Sequence, residues 1–95
     1  MTDVSVVIGF RDWGLRRLEL ALTSVKDSFG RYDGEVILSD FGSLNRTENE
    51  ELAERVGAKY VYSEGEENWS RSRALNAGFS IAQGEILVPT DADMI

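Results

Sequence analysis

Four short apolar runs, each separated from the next by a segment of helical periodicity, constrain this chain more than any other feature. The runs are Val4-Ser5-Val6-Val7-Ile8, Glu35-Val36-Ile37-Leu38-Ser39, Lys59-Tyr60-Val61-Tyr62-Ser63, and Glu85 to Thr90 with Ile86-Leu87-Val88 at its centre. Bounded by glycine or polar residues, they read as strands, the β-branched first run and the apolar fourth as buried ones. Between the first two, Leu15, Leu18, Leu22, Val25 and Phe29 fall at helical spacing, Ala21 widens that face, and Gly30 supplies a C-terminal stop. Thr47 and Glu50 have the spacing of a capping box and open a second helix through Leu52, Ala53 and Val56, closed by Gly57. Ser70 is the expected cap of a third helix running through Leu75, Phe79 and Ala82, with Gly84 as its left-handed stop.

The resulting order, β-α-β-α-β-α-β, has connections too long for hairpins, so parallel strands joined by right-handed helical crossovers are the economical solution. The fold class expected is α/β: a three-layer α/β/α Rossmann-like parallel sheet in strand order 3-2-1-4, with its switch point between the first and fourth strands. Ligands of open α/β sheets bind outside the carboxyl ends of the strands. The loops there carry Phe10-Arg11-Asp12, Asp40-Phe41-Gly42-Ser43 and Asp91-Ala92-Asp93. Pro89 deletes a ladder donor from the fourth strand, which predicts that its pairing stops at that point.

Composition narrows the chemistry. Ninety-five residues suit one small domain. No apolar run is long enough to span a bilayer, and the sequence Met1-Thr2-Asp3 enters a strand at once, so neither a transmembrane segment nor a secretory signal is expected and the predicted location is cytoplasmic. The absence of cysteine removes disulfides and thiolate chemistry, and the absence of histidine removes the usual general base and zinc ligand. Carboxylates, arginines and a metal are what remain. A net charge of −7 argues against nonspecific nucleic-acid binding, which needs a basic surface to displace counterions. It leaves room for a diphosphate neutralised locally by a metal and one or two arginines.

Two carboxylates one residue apart after a buried strand are hard oxygen ligands suited to Mg²⁺ or Mn²⁺. Taken alone, such a triplet also describes a turn with two solvated carboxylates. Likewise Asp40 alone reads as a turn-former, Arg71 and Arg73 as surface charges near a helix start, and Asn76 as a helical residue facing water. Trp13 and Trp69 most simply cover hydrophobic surface.

In combination the segments resemble the N-terminal half of family 2 glycosyltransferases with the GT-A fold. The matching stretches, in order, are Val4-Ser5-Val6-Val7-Ile8, Asp40-Phe41-Gly42-Ser43, Ala74-Leu75-Asn76-Ala77-Gly78, Ala82-Gln83-Gly84-Glu85 and Asp91-Ala92-Asp93, and they span essentially the whole chain. Three departures stand out. Gly9-Phe10-Arg11-Asp12 replaces the usual Pro-Thr-Tyr-Asn-like loop, so only the loop's location carries over. Phe41 replaces the second acid of Asp-Asp-Gly-Ser, and Leu75 stands where many non-processive members have arginine.

The resemblance implies a glycosyltransferase moving a sugar from a nucleotide-diphosphate donor, a UDP-sugar by preference, with inversion. It implies that Asp40 accepts a hydrogen bond from the nucleobase imide. Phe10 or neighbouring backbone lies against the base, with Arg11 in the same loop. Arg71 reaches the diphosphate, Asp91 approaches the ribose or an ion-bound water, and Asp93 ligates Mn²⁺ or Mg²⁺ directly, with Asp91 beside it. Asn76 is expected to bond loop backbone beneath the site. The general base lies beyond residue 95, so residues 1–95 are expected to be an incomplete donor-binding domain lacking the acceptor part, with little transfer activity alone. The exposed edge of the fourth strand invites homo-oligomerisation. The alternative is a non-catalytic nucleotide-binding or assembly module of the same fold. Other nucleotide binders fit less well, since Gly9-Phe10-Arg11-Asp12-Trp13-Gly14 lacks the middle glycine of a dinucleotide loop and Leu15 follows Gly14 where a phosphate loop needs lysine.

Overall fold

The computed structural model describes residues 3–11, 14–29, 33–64 and 71–90, with backbone alone at 71, 72 and 90. Among the described residues the elements alternate: β1 (Val4–Phe10), α1 (Leu15–Ser28), β2 (Gly34–Phe41), α2 (Arg46–Val56), β3 (Lys59–Ser63), α3 (Arg71–Phe79) and β4 (Ile86–Thr90). The strands form one sheet in the order β3-β2-β1-β4, every neighbouring pair parallel. This is the α/β, Rossmann-like arrangement of the GT-A class that the sequence predicts. Helices α1 and α2 pack on one face and α3 on the other.

The helices bury most of the stripes their spacing predicts, although Leu15 is exposed at the start of α1 and Ala82 lies beyond α3, which ends at Phe79. On α1, Leu18, Ala21, Leu22 and Val25 are buried, whereas Leu20, on the opposite side, is exposed. They meet Val6, Ile8 and Phe10 of β1 and Val36 and Leu38 of β2, and α2 adds Leu52 and Ala53. The face under α3 is thinner: Val7, Ile37 and Leu75 are buried together, with Val61, Phe79 and Ala82 partly covered around them.

Several local expectations change. The Thr47–Glu50 capping box does not form. Helix α2 starts two residues earlier, with Asn45 as its N-cap, which leaves Thr47 inside the first turn and exposed. At the other end Gly57 adopts φ 77°, its N–H donating to Glu54 O while Ala58 N–H donates to Ala53 O at 2.8 Å, the bond pair of a Schellman motif. Gly84 is not left-handed. It is needed because a Cβ there would sit 2.6 Å from the Ser5 nitrogen. Pro89 does not end the pairing of β4, since Val7 pairs with Pro89 and Ile8 with Thr90. Strand β4 lies at the edge of this sheet, and an edge strand has one side on which no ladder donor is required. The expected caps Gly30 and Ser70 lie outside the described residues.

The amino edge of the sheet is stitched by a polar network. The Ser5 hydroxyl donates to Glu35 Oε2 at 2.5 Å, and the same oxygen accepts the Gln83 N–H at 2.7 Å. Gly84 N–H donates to Ser5 Oγ at 2.8 Å, and Lys59 Nζ lies 2.5 Å from Glu35 Oε1. One carboxylate thus joins β1, β2, β3 and the turn entering β4. Burial alone raises the Glu35 carboxyl, but Lys59, Ser5 and the Gln83 N–H together outweigh it and hold the group below its ordinary value.

Candidate functional site

All four strands run the same way, so their carboxyl ends share one edge, away from the Glu35 network. The register places Phe10, Asp40 and Tyr62 side by side across β1, β2 and β3. Paired residues of neighbouring parallel strands point to the same face, so this row lies on the α1/α2 side. Thr90 pairs with Ile8, and the chain leaves β4 on the same edge.

Two of the three, Phe10 and Asp40, are internal, while Tyr62 is partly exposed. Phe10 is fully buried in the core beneath α1, so its ring is not free to lie against a nucleobase, as the sequence suggested. Arg11, the next residue, is half-buried at the strand end. Asp40 is also 0% exposed. Its Oδ1 accepts the Ser43 N–H at 2.9 Å, while Oδ2 accepts the Tyr60 hydroxyl at 2.6 Å and Asn49 Nδ2 at 3.1 Å. This departs from the expected acceptor open to a base. β2 is buried on both faces, and the side Asp40 takes is the inner one, between α2 and β3.

Those bonds shape the loop after β2. Gly42 takes φ 84°, a conformation that disfavours any side chain, and the chain reverses so that Ser43 N–H reaches back to Asp40. Asn49, one turn into α2, is fully buried and exchanges amide hydrogen bonds with Asn45, at 3.2 and 3.3 Å. Burial, followed by the Asp40 hydrogen bond and charge, drives the Tyr60 phenol well above its ordinary pKa, so it stays a donor across the working pH range. At the rim, the Arg46 guanidinium carbon lies 4.1 Å from the centroid of the Tyr62 ring, within cation–π range.

On the opposite face the buried Ser39 hydroxyl donates to Ala74 O at 2.5 Å, which fixes the first turns of α3 against β2. Arg71 opens that helix, though its side chain is not among those described. Leu75 is buried against Val7 and Ile37, whereas Asn76 is exposed instead of tucked beneath the loops. Asp12, Trp13, Trp69, Asp91 and Asp93 lie outside the described residues. Among the described residues no three acidic side chains converge as a metal site.

The family model of glycosyl transferase family 2 matches residues 5–95 of this chain. The chain belongs to glycosyl transferase family 2. No curated protein matches it. Family membership makes it a glycosyltransferase domain and implies a nucleotide-sugar donor in general terms. In this family 2 domain, the carboxyl edge built from β1, β2 and β4 is the candidate donor site. No helix among the described residues is long and apolar enough to cross a membrane. Sequence reasoning missed Tyr60 and Asn49 as partners of Asp40, and Arg46 with Tyr62 at the rim. A buried asparagine in the first turn of α2, in register with an aspartate closing the preceding strand, was the one available signal.

Proposed function

We propose that this family 2 domain binds the nucleotide-diphosphate portion of a sugar donor, with UDP-sugar as the preferred class, in an inverting transfer. The observation that carries this reading is the convergence of the β1, β2 and β4 carboxyl ends on one edge of a chain matched to the family from residue 5 to residue 95. In this reading Arg11 and the Phe41–Asn45 loop border the nucleoside. Arg71, at the start of α3, serves the diphosphate. Asp91 and Asp93 follow β4 and are the donor set for a divalent cation: two carboxylates are the hard oxygen ligands that Mn²⁺ or Mg²⁺ takes alongside phosphate oxygens. When bound, such an ion supplies charge neutralisation to the departing diphosphate.

Inversion follows from a single displacement at the anomeric carbon and needs no enzyme nucleophile. The base that takes the acceptor's proton lies outside residues 1–95 in this reading. Titrating UDP into the wild-type chain and Asp93→Ala, each with and without Mn²⁺, tests it. Binding should be tightest for wild type with Mn²⁺ and weaken by about tenfold or more when either the metal or Asp93 is removed, the loss expected for one charge-assisted contact. Equal binding in all four conditions would remove the metal-assisted reading.

A further inference from the structure

The Asp40 carboxylate receives three donors from three elements and is closed to solvent. Ser43 N–H comes from the turn after β2, Asn49 Nδ2 from α2, and the Tyr60 hydroxyl from β3. Among the described residues no buried side-chain nitrogen or oxygen lacks a partner, and here Oδ2 holds two donors and Oδ1 one. A base N–H could reach this carboxylate only by parting the Ser43, Asn49 and Tyr60 clamp that leaves it 0% exposed. Removing a donor from a buried charged acceptor is among the costlier changes a site can make.

We infer that Asp40 is a positioning residue: its buried carboxylate, clamped by Tyr60 and Asn49, holds the Phe41–Asn45 turn in the shape that meets the donor nucleotide, and it does not read the base. The clamp explains three otherwise separate features. Gly42 must take φ 84° for Ser43 N–H to turn inward. Asn49 must be buried in an otherwise polar helix start, and Asn45 must brace it. Tyr60 must present its hydroxyl at the level of β2 where the strand ends. Base selectivity then belongs to groups on the surface of the turn and of the β1 loop.

The inference rests on the nucleotide-binding reading, and its test separates the two. UDP and CDP are titrated into the wild-type chain, Asp40→Asn and Tyr60→Phe. Asp→Asn replaces an acceptor with a group that also donates. If the carboxylate read uracil N3–H directly, the preference would therefore swing toward cytosine, whose N3 accepts. A positioning role predicts instead that Asp40→Asn weakens both nucleotides by about tenfold and Tyr60→Phe by about threefold, with the UDP-to-CDP ratio unchanged in each. A swing of about tenfold or more toward CDP in Asp40→Asn, with Tyr60→Phe keeping the wild-type ratio, overturns the inference. Hydrogen exchange at the Ser43 amide gives a readout that needs no ligand. It should accelerate by about tenfold or more in Tyr60→Phe, which keeps the ring and its packing, while β1 amides stay protected. Unchanged Ser43 exchange overturns the clamp. If wild type binds neither nucleotide, the donor-binding reading fails, and Ser43 exchange still decides the clamp.

Discussion

The two faces of the sheet are held by different means. Under α1 and α2, large side chains fill a thick layer, with Ile8, Phe10, Leu18, Leu22, Leu38 and Leu52 all essentially inaccessible. Under α3 few large residues are buried, and contact comes from close approach. A Cβ on Gly78 would overlap Val7 Cγ1 and lie 3.2 and 3.3 Å from Val7 Cγ2 and Cβ. The Ser39 hydroxyl bonds directly to the backbone of α3. The first face gains stability from the volume it encloses, and the second from how little separates helix and strand. They should therefore fail in opposite ways, one when atoms are removed and the other when atoms are added.

The largest effect should come from Leu22→Ala on the thick face. Loss of transfer energy plus an unfilled cavity should cost about 3 kcal/mol, read as a drop in urea midpoint at unchanged slope. On the thin face, Gly78→Ala adds a single methyl group. Alanine improves helix propensity by about 1 kcal/mol, yet overpacking against a stiff, buried valine costs about 1–3 kcal/mol, so the net change should be destabilising by about 1 kcal/mol. A neutral or stabilising Gly78→Ala would break the contrast between the faces.

The smallest effect belongs to the Glu35 network, which spans the strands at the amino edge instead of filling either face. Its carboxyl is held below the ordinary value, so the folded state binds its proton less readily than the unfolded chain does. The contribution is complete above the ordinary value of 4.5 and is lost as pH falls through the lower, folded value. Glu35→Gln should cost about 1 kcal/mol or less near pH 7, a modest figure because Lys59 is 41% exposed and its pairing is screened by solvent. The difference from wild type should vanish in acid. Denaturation midpoints from pH 7 to pH 3 check this, and a constant gap across that range would remove Glu35 as the source.

What could be read from the sequence follows from where its patterns carry direction. The α1 stripe of Leu18, Leu22 and Val25 has a helical period and only one way to bury itself, so helix and facing were both legible. The β-branched runs and the long connections between them sufficed for a parallel sheet in the order 3-2-1-4. Asp40 was different. From Val36 to Phe41 every residue of β2 is buried, so the strand shows no alternation from which to tell its faces apart. Its partner Tyr60 is set by the register between β2 and β3, a long-range property no local window contains. Phe10 misled for the same reason, since a strand-end aromatic reads alike whether it turns into the core or out of it. The Thr47–Glu50 spacing placed the helix start two residues late, since the helix is capped at Asn45, which pairs with Asn49.

The position of β1 between β2 and β4 also orders events in time. The first strand meets β2 after a modest stretch of chain, but its other side is completed only by β4. The Ser5–Gly84 hydrogen bond joins residues 79 apart in sequence. At a synthesis rate of about 5–20 residues per second, one flank of β1 waits roughly 4–16 seconds after its own emergence for a partner. Throughout that interval an apolar strand with a finished neighbour on one side lies open on the other, a template for any passing extended segment. Assembly of this sheet is therefore paced by translation at its centre, and slowing the ribosome between the codons of β2 and β4 would lengthen an aggregation-exposed stage.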